Sequence, residues 1–420
     1  MKTILVKGPA LSRSGYGEQT RFALRSLRAY EERFNILLIN IPWGQTGWIA
    51  EDDEERAWLD HLIGKTQHHF NNKAPIDIAL QVTIPNEWER IASTNIGYTA
   101  GIETTRVSPQ WLEKAQMMEK IIVVSNHAKK VFDTTTYQAQ NQQTQETFEF
   151  KNETPIDVVN YPVRSLDQEP VDIDLEYDFN FLSVAQMGPR KNFNNTLNWF
   201  LQEMHDEKVG IVFKINYANC STGDRILCAT HMKEILDQYP DRSCKVYLLH
   251  GDLTSNQMNF LYAHPKIKSY LTLTHGEGFG MPIFEAAYHG LPVIAPPWSG
   301  QCDFLYAPVV SGKHKKPKIR PLFCKVDYTL APIPQEAVWD GVLNADSQWC
   351  FPDEKSAKKC IREMYANYTQ YIGLAKKLKK HLIVNFTEEE QYKSFANAVY
   401  EEEHFEVEEW LSNLELEVHE

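Results

Sequence analysis

The sequence contains no apolar run approaching the roughly 18–20 residues that cross a bilayer. Its amino-terminal stretch, MKTILVKGPALSRSGYG, is cut by Lys7 after a short apolar run. That run is too short for a signal-peptide core and reads instead as a first strand. No Cys-x-x-Cys pair occurs: seven cysteines fall irregularly between Cys220 and Cys360. This excludes a disulfide framework and a cysteine metal cage, and it fits reduced thiols in a cytoplasmic setting. Positive charge is scarce, with 43 Lys and Arg against 56 Asp and Glu and a net charge of −13. A protein whose main affinity comes from neutralising phosphates is disfavoured, although a local basic patch and peripheral contact with a membrane surface stay open. A complete G-x-G-x-x-G is also missing, because Thr20 stands where the last glycine of GYGEQT would be.

What is present is a globular composition, 43% hydrophobic and 12% aromatic over 420 residues, long enough for two or three domains. Strand-like runs at 3–8, 34–42, 76–82, 95–100 and 120–125 alternate with helical patterns, including one starting near Glu18 and one over 109–119. Such alternation predicts an α/β fold with doubly wound parallel sheets. The Gln/Asn-rich stretch 136–154 breaks it and reads as a mobile surface excursion. Residues 164–178 are acidic and lack a helical face, which makes them the linker between an amino-terminal domain, 1–163, and a second domain, 179–386. Alternation restarts at Phe179 with FNFLSVA, VGIVFKI, KVYLLHG, YLTLTH and LPVIAP. Two Rossmann-like domains would then face one another across a cleft at the carboxyl ends of their strands.

Three loops fall at such ends. In GEGFGMPIFEAAYHG, Pro282 suits a first helical turn and Gly290 a helix stop. Free N–H groups near Gly278–Met281, with the helix dipole behind them, form an anion site, and Glu285 lies one turn into the helix. In QMGPRKNF, Arg190 and Lys191 precede a helix, where positive charge opposes the dipole unless an anion such as phosphate neutralises it. The segment Gly15, Tyr16, Gly17 after the first strand reads as a flexible loop of close approach. Structural roles remain open for each alone: glycines serving a turn, Glu285 complementing a dipole, and two solvated cations.

Together these residues resemble retaining glycosyltransferases of family 4, which have the GT-B fold of two Rossmann-like domains. The resemblance rests on two glutamates, Glu277 and Glu285, separated by seven residues in EGFGMPIFE and followed by GLPVIA. FLSVAQMGPRKN, IGYTAGIETTRVSPQW and IIVVSNHAKKVF support it. It spans roughly 95–132 and 179–306. It implies that Glu277 holds hydroxyls of a donor sugar, and that Gly278, Phe279, Gly280 and Met281 contact sugar and phosphate through their backbone. Glu285 would hold the ribose and Lys191 the diphosphate, while His250, Gly251 and Asp252 face the base. Gly15, Tyr16 and Gly17 would approach from the other domain, and Glu103 either reaches the cleft or is structural. The family's arginine five residues before the lysine is Gln186 here, so either Arg190 replaces it or the diphosphate is held more weakly.

The implied function is metal-independent transfer of a sugar from a nucleotide diphosphate, such as a UDP or GDP sugar, to an acceptor hydroxyl. Glu277, Lys191 and Arg190 are the catalytic candidates, with no protein nucleophile and no cofactor beyond the donor. The acceptor could be a glycan, a lipid or a hydroxyl-bearing modified base in DNA. A glycoside hydrolase using Glu277 and Glu285 as its carboxylate pair, and a nucleotide-sugar-binding protein without turnover, are the alternatives. The basic stretch SGKHKKPKIRP (311–321) reads as a solvated insertion or a polyanion contact, AKKLKKHL (375–382) as a helix with a wet lysine face, and Asp172–Asp174 as solvated charge. Helices over 387–416 are expected to return to the amino-terminal domain.

Overall fold

The computed structural model of the chain describes residues 1–141, 143–310 and 316–401. The first unit contains strands β1 (Lys2–Gly8), β2 (Phe34–Asn40), β3 (Ile78–Val82), β4 (Thr94–Thr99), β5 (Lys120–Val123), β6 (Thr136–Gln140), β7 (Thr147–Lys151) and β8 (Ile156–Val158). Its helices are α1 (Gly15–Arg28), α2 (Glu54–Asn71), α3 (Pro109–Ala115) and α4 (Asn126–Thr134). The second unit has β9 (Asn180–Gln186), β10 (Gly210–Asn216), β11 (Lys245–Leu249), β12 (Ile267–Leu271), β13 (Val293–Ala295), β14 (Tyr306–Val309), β15 (Lys318–Pro321), β16 (Cys324–Lys325), β17 (Tyr328–Pro332) and β18 (Gln348–Pro352). Helices α5 (Phe193–Met204), α6 (Thr222–Leu236), α7 (Ser255–Ala263), α8 (Met281–His289), α9 (Cys302–Leu305), α10 (Glu354–Ala366), α11 (Tyr368–Asn385) and α12 (Glu388–Val399) complete the chain.

Each unit has a six-stranded parallel sheet, ordered β2-β1-β3-β4-β5-β8 in the first and β11-β10-β9-β12-β13-β16 in the second. The expected doubly wound folds are therefore present. In the second sheet the winding reverses between β9 and β12, and a crevice opens beyond their carboxyl ends, where ligands bind in sheets of this type. The strands are apolar throughout, as burial on both faces demands: all five residues of β3 and the first four of β10 are buried.

Several expectations change. Gly15–Gly17 is not a flexible loop but the first turn of α1, because Ser14 caps it, its Oγ accepting from Gly17 N at 3.0 Å. The stretch 136–154 contains an antiparallel hairpin, β6–β7. Its polar residues alternate with Tyr137 and Phe150, which pack against the core of α3 and α4, and that period of two sets the register. In the basic stretch, residues 311–315 lie outside the described residues, while 318–321 form β15 paired with β14.

Residues 164–175 run without regular structure along α7, where Asn259 Nδ2 donates to Leu166 O and Asp167 O. The last described helix, α12, lies on α1, with Phe395 fully buried against Phe22 and Tyr98. The expected helix over 387–416 is thus seen to Val399, and 402–416 fall outside the described residues. Phe395→Ala is expected to cost about 3–5 kcal/mol in urea denaturation, because it empties an aromatic site that closes the first unit.

Candidate active site

Two loops at the switch point are stitched together before any functional side chain is placed. His275 N donates to Arg190 O at 2.8 Å, and Asn192 Nδ2 donates to Leu273 O at 3.0 Å. Asn192 adopts a left-handed conformation, φ 52°, which turns the chain from the Pro189–Lys191 turn into α5. Glu277 is fixed from the other side: its N–H donates to Ser299 Oγ at 2.8 Å, and its carbonyl accepts from Gly300 N. A β-carbon on Gly300 would lie 1.9 Å from Gly278 O, so only glycine fits beneath the loop.

This frame brings Glu277, Lys191 and Arg190 together. Lys191 Nζ donates to both carboxylate oxygens of Glu277, at 2.6 and 2.8 Å, and Arg190 Nη1 donates to Oε2 at 3.0 Å. Arg190 Nη1 also donates to Gly276 O, and Nη2 lies 3.2 Å from Glu103 of the first unit. Glu277 is only 7% exposed. Burial works against its charge, but Lys191 and Arg190 outweigh burial and hold the carboxyl down at about 2. For Lys191, burial and the neighbouring Arg190 favour the neutral amine, against the pull of Glu277. The anion that neutralises the basic pair is thus a glutamate of the protein, which the sequence reading did not anticipate.

Helix α8 begins at Gly280, φ 95°, with no side-chain cap, and ends at Gly290, φ 88°. The β-carbon position of Gly15, at the start of α1, lies 3.9 Å from Met281 Cε. The first turns of α1 and α8, one from each unit, therefore adjoin at the cleft, and the N-terminal end of each favours an anion there. The loop itself touches the first unit closely. Added β-carbons on Gly276 and Gly278 would lie 2.6 Å from Glu103 O and 2.6 Å from Ala100 O.

A cleft of about 850 Å³ separates the units, with Gly15, Glu18 and Arg25 on one wall and Leu253, Met281 and Glu285 on the other. Glu277, Lys191 and Arg190 do not line it, since the 276–280 loop closes against Ala100–Glu103. The two glutamates therefore stand in opposite surroundings. Burial, reinforced by Glu18 and opposed by Tyr262 and Arg164, pushes the Glu285 carboxyl up to about 7.

The remaining expected residues divide. His250 turns its side chain away, donating through Nε2 to Asp224 Oδ1 at 2.8 Å in the interior. Asp224 also accepts from Tyr217, Ala218 and Asn219 N–H groups. Asp224, Cys228 and His250 are close enough to hold an ion. Both Asp224 oxygens are engaged in hydrogen bonds here, and burial pushes the Cys228 thiol up to about 11. Gly251 O accepts from Lys214 Nζ, and Asp252 lies 3.5 Å from Arg13 of the first unit. The Tyr16 and Thr99 hydroxyls share a hydrogen bond of 2.7 Å, and Phe279 packs on Tyr161 and Phe304. Gln186 points to Tyr217 O and takes no part in the cluster.

The sequence reading missed the ion network on the cleft wall, in which Glu18 pairs with Arg21, Arg25 and Arg164. The 18, 21, 25 spacing on one helix face is its only sequence signal.

No protein-family model matches the chain, and no curated protein matches it. Among solved structures it is similar to Anabaena HepE in complex with UDP and glucose, at 12% identity and a TM-score of 0.56 over 94% of this chain and 99% of that one. It is similar to OtsA in its apo form, at 9% identity and a TM-score of 0.57 over 96% and 100%. A glycosyltransferase from Rickettsia africae gives 12% identity and a TM-score of 0.56 over 96% and 99%. At these identities the likeness shows the fold, and the fold is GT-B: two Rossmann-like domains facing a cleft.

The Glu285 environment has a consequence for stability. Between the ordinary value of 4.5 and about 7, the folded chain keeps a proton on Glu285 that the unfolded chain has lost. This contribution is therefore complete below the lower value and disappears as pH rises through the upper one. Glu285→Gln is expected to flatten the decline by up to ~3 kcal/mol, read by urea denaturation across that range. An unchanged slope would show that Glu285 is ordinarily ionised.

Proposed function

We propose that the protein is a glycosyltransferase that moves a sugar from a nucleotide diphosphate to an acceptor hydroxyl with retention of anomeric configuration. The observation that carries this reading is the Glu277–Lys191–Arg190 cluster at the switch point, next to two adjoining helix N-termini. In this reading the diphosphate sits between Gly15 and Met281, where the helix ends favour negative charge. The ribose lies toward Glu285, and the nucleotide occupies the cleft beside Leu253. Glu277, kept ionised by its cations, accepts hydrogen bonds from sugar hydroxyls once the 276–280 loop parts from Ala100–Glu103 and opens the cluster to the cleft.

The C1–oxygen bond to the diphosphate breaks as the acceptor oxygen bonds to C1 from the same face. The acceptor proton passes to a phosphate oxygen of the leaving group. No protein nucleophile takes part in this scheme and it calls for no metal. Charge grows on the diphosphate as the bond breaks, and Lys191, Arg190 and the α8 N-terminus stabilise it. Arg190, bonded to Glu277, Glu103 and Gly276 O, takes the place of the arginine absent at Gln186.

UDP is the first nucleotide to test, since Anabaena HepE is described with UDP and glucose. The expected outcome is a thermal shift with one nucleoside diphosphate, about 2.7 kcal/mol of stabilisation at 100 times its dissociation constant. Lys191→Ala should abolish that shift and reduce transfer roughly 10²–10³-fold. The absence of a shift with UDP, GDP, ADP, CDP and dTDP and with their common sugar conjugates would count against a working donor site. Release of sugar from a simple glycoside without any nucleotide would replace the proposal with a hydrolase.

A further inference from the structure

Two basic segments far apart in the sequence meet in the fold: α11 abuts β14, whose partner strand is β15. On α11 the buried positions are Ala375, Leu378 and Leu382. Helical geometry therefore gathers Lys376, Lys377, Lys380, Ile383 and Val384 on the opposite face, and all five are exposed. The hairpin adds Lys316, Lys318 and Arg320, also exposed. Among the described residues, none of these six cations has a carboxylate within ion-pair distance. Exposed aliphatic side chains lie on the same two segments: Val310 is 62% exposed, Ile319 65%, Ile383 45% and Val384 64%, with Ile383 and Val384 sharing the lysine face of α11 and Ile319 on the other side of β15 from Lys318 and Arg320.

Each half of this pattern needs an explanation. A chain of net charge −13 has carboxylates in excess, yet among the described residues none pairs with these six cations. Four protruding aliphatic groups gain nothing from water, and lysines alone would suffice for solubility. Cations interleaved with exposed aliphatic residues match an anionic lipid surface, where lysines meet headgroups and aliphatic tips enter the interface. Nucleic acid fits less well. The face is lysine-rich, with one arginine, and offers aliphatic residues where a single-strand binder would present stacking rings. Among the described residues no helix is long and apolar enough to cross a membrane.

We propose that the α11/β14–β15 face docks the protein on an anionic lipid surface. The inference rests on no part of the transfer reading, and its test needs no turnover. The full chain is sedimented with vesicles of phosphatidylcholine alone and of phosphatidylcholine with phosphatidylglycerol. Two variants are compared, Lys376→Glu/Lys380→Glu and Ile383→Ser/Val384→Ser, each first shown to keep the wild-type melting temperature.

Wild type is expected to pellet with the anionic vesicles only. The charge-reversal variant should lose at least about tenfold in bound fraction, since each lysine near the surface contributes separately. The serine variant should bind at low salt but release at lower salt than wild type, because only screened attraction remains. Equal binding to both vesicles, undiminished binding of the charge-reversal variant, or no pelleting at all would overturn the proposal. Retention of a DNA duplex without vesicle binding, lost in the charge-reversal variant, would assign the face to nucleic acid instead.

Discussion

A carboxylate that is 7% exposed cannot stay charged unaided, and the second unit is arranged around the solution for Glu277. Its two oxygens take three hydrogen bonds from Lys191 and Arg190, and those cations need the same carboxylate to offset their own burial. Removing Glu277 would leave Lys191 without its carboxylate and Arg190 with Glu103 alone, while removing either cation would leave the other to hold Glu277 by itself, so the three positions are interdependent. The backbone follows from this need. The His275–Arg190 bond, the left-handed Asn192 and the Ser299 hydroxyl under Glu277 N all bring the β9 and β12 loops to the separation the ion cluster requires.

Arg190 extends that constraint across the cleft. By reaching Glu103 it makes the first unit part of the second unit's charge balance. The glycines of the 276–280 loop allow the approach, since a side chain on Gly276 or Gly278 would meet backbone of Ala100–Glu103. A second bridge runs through the β17–β18 segment. Gly341 O accepts from Asn86 and Ser108 of the first unit, Arg106 pairs with Asp346, and Val342 is buried against the α3 core. At its other end, Cys350 exchanges hydrogen bonds with His275, whose ring stacks on Trp349. The inter-unit bridge and the Glu277 loop are thereby continuous, and displacement of one strains the other.

The alternation of strands and helices was legible because parallel strands buried on both faces must be apolar throughout, as β3 and β10 are. The limits of α8 were legible because Pro282 and Gly290 act locally. The start of α1 was misread: GYG suggests a loop, but Ser14 as N-cap outweighs the glycine cost. The β6–β7 hairpin was hidden because each strand shows its period of two over only five residues, inside a Gln/Asn-rich stretch. What sequence could not supply was pairing at a distance. Nothing near Arg190 and Lys191 indicates that Glu277 is their counter-ion, and nothing near His250 indicates that Asp224 draws it inside. Both depend on which loops the sheet order places side by side.

The same reasoning separates two residues that the sequence presents as a matched pair. Glu277 and Glu285 bracket one loop, yet contact with cations holds the first ionised and burial pushes the second toward its protonated form. Of the nearby arginines Arg164 relieves Glu285 only in part, since Glu18 engages it together with Arg21 and Arg25. A neutral acid can donate a hydrogen bond as well as accept one, whereas Glu277 can only accept. If a nucleotide sugar binds as proposed, its phosphates must compete with Glu277 for Lys191, and its sugar hydroxyls must replace part of what the carboxylate loses. Donor binding would then be an exchange of partners within a neutralised cluster, not the filling of a cationic hole. A phosphate without its sugar would displace Glu277 and offer it nothing in return, so the cluster's own charge balance favours the intact donor over the bare diphosphate.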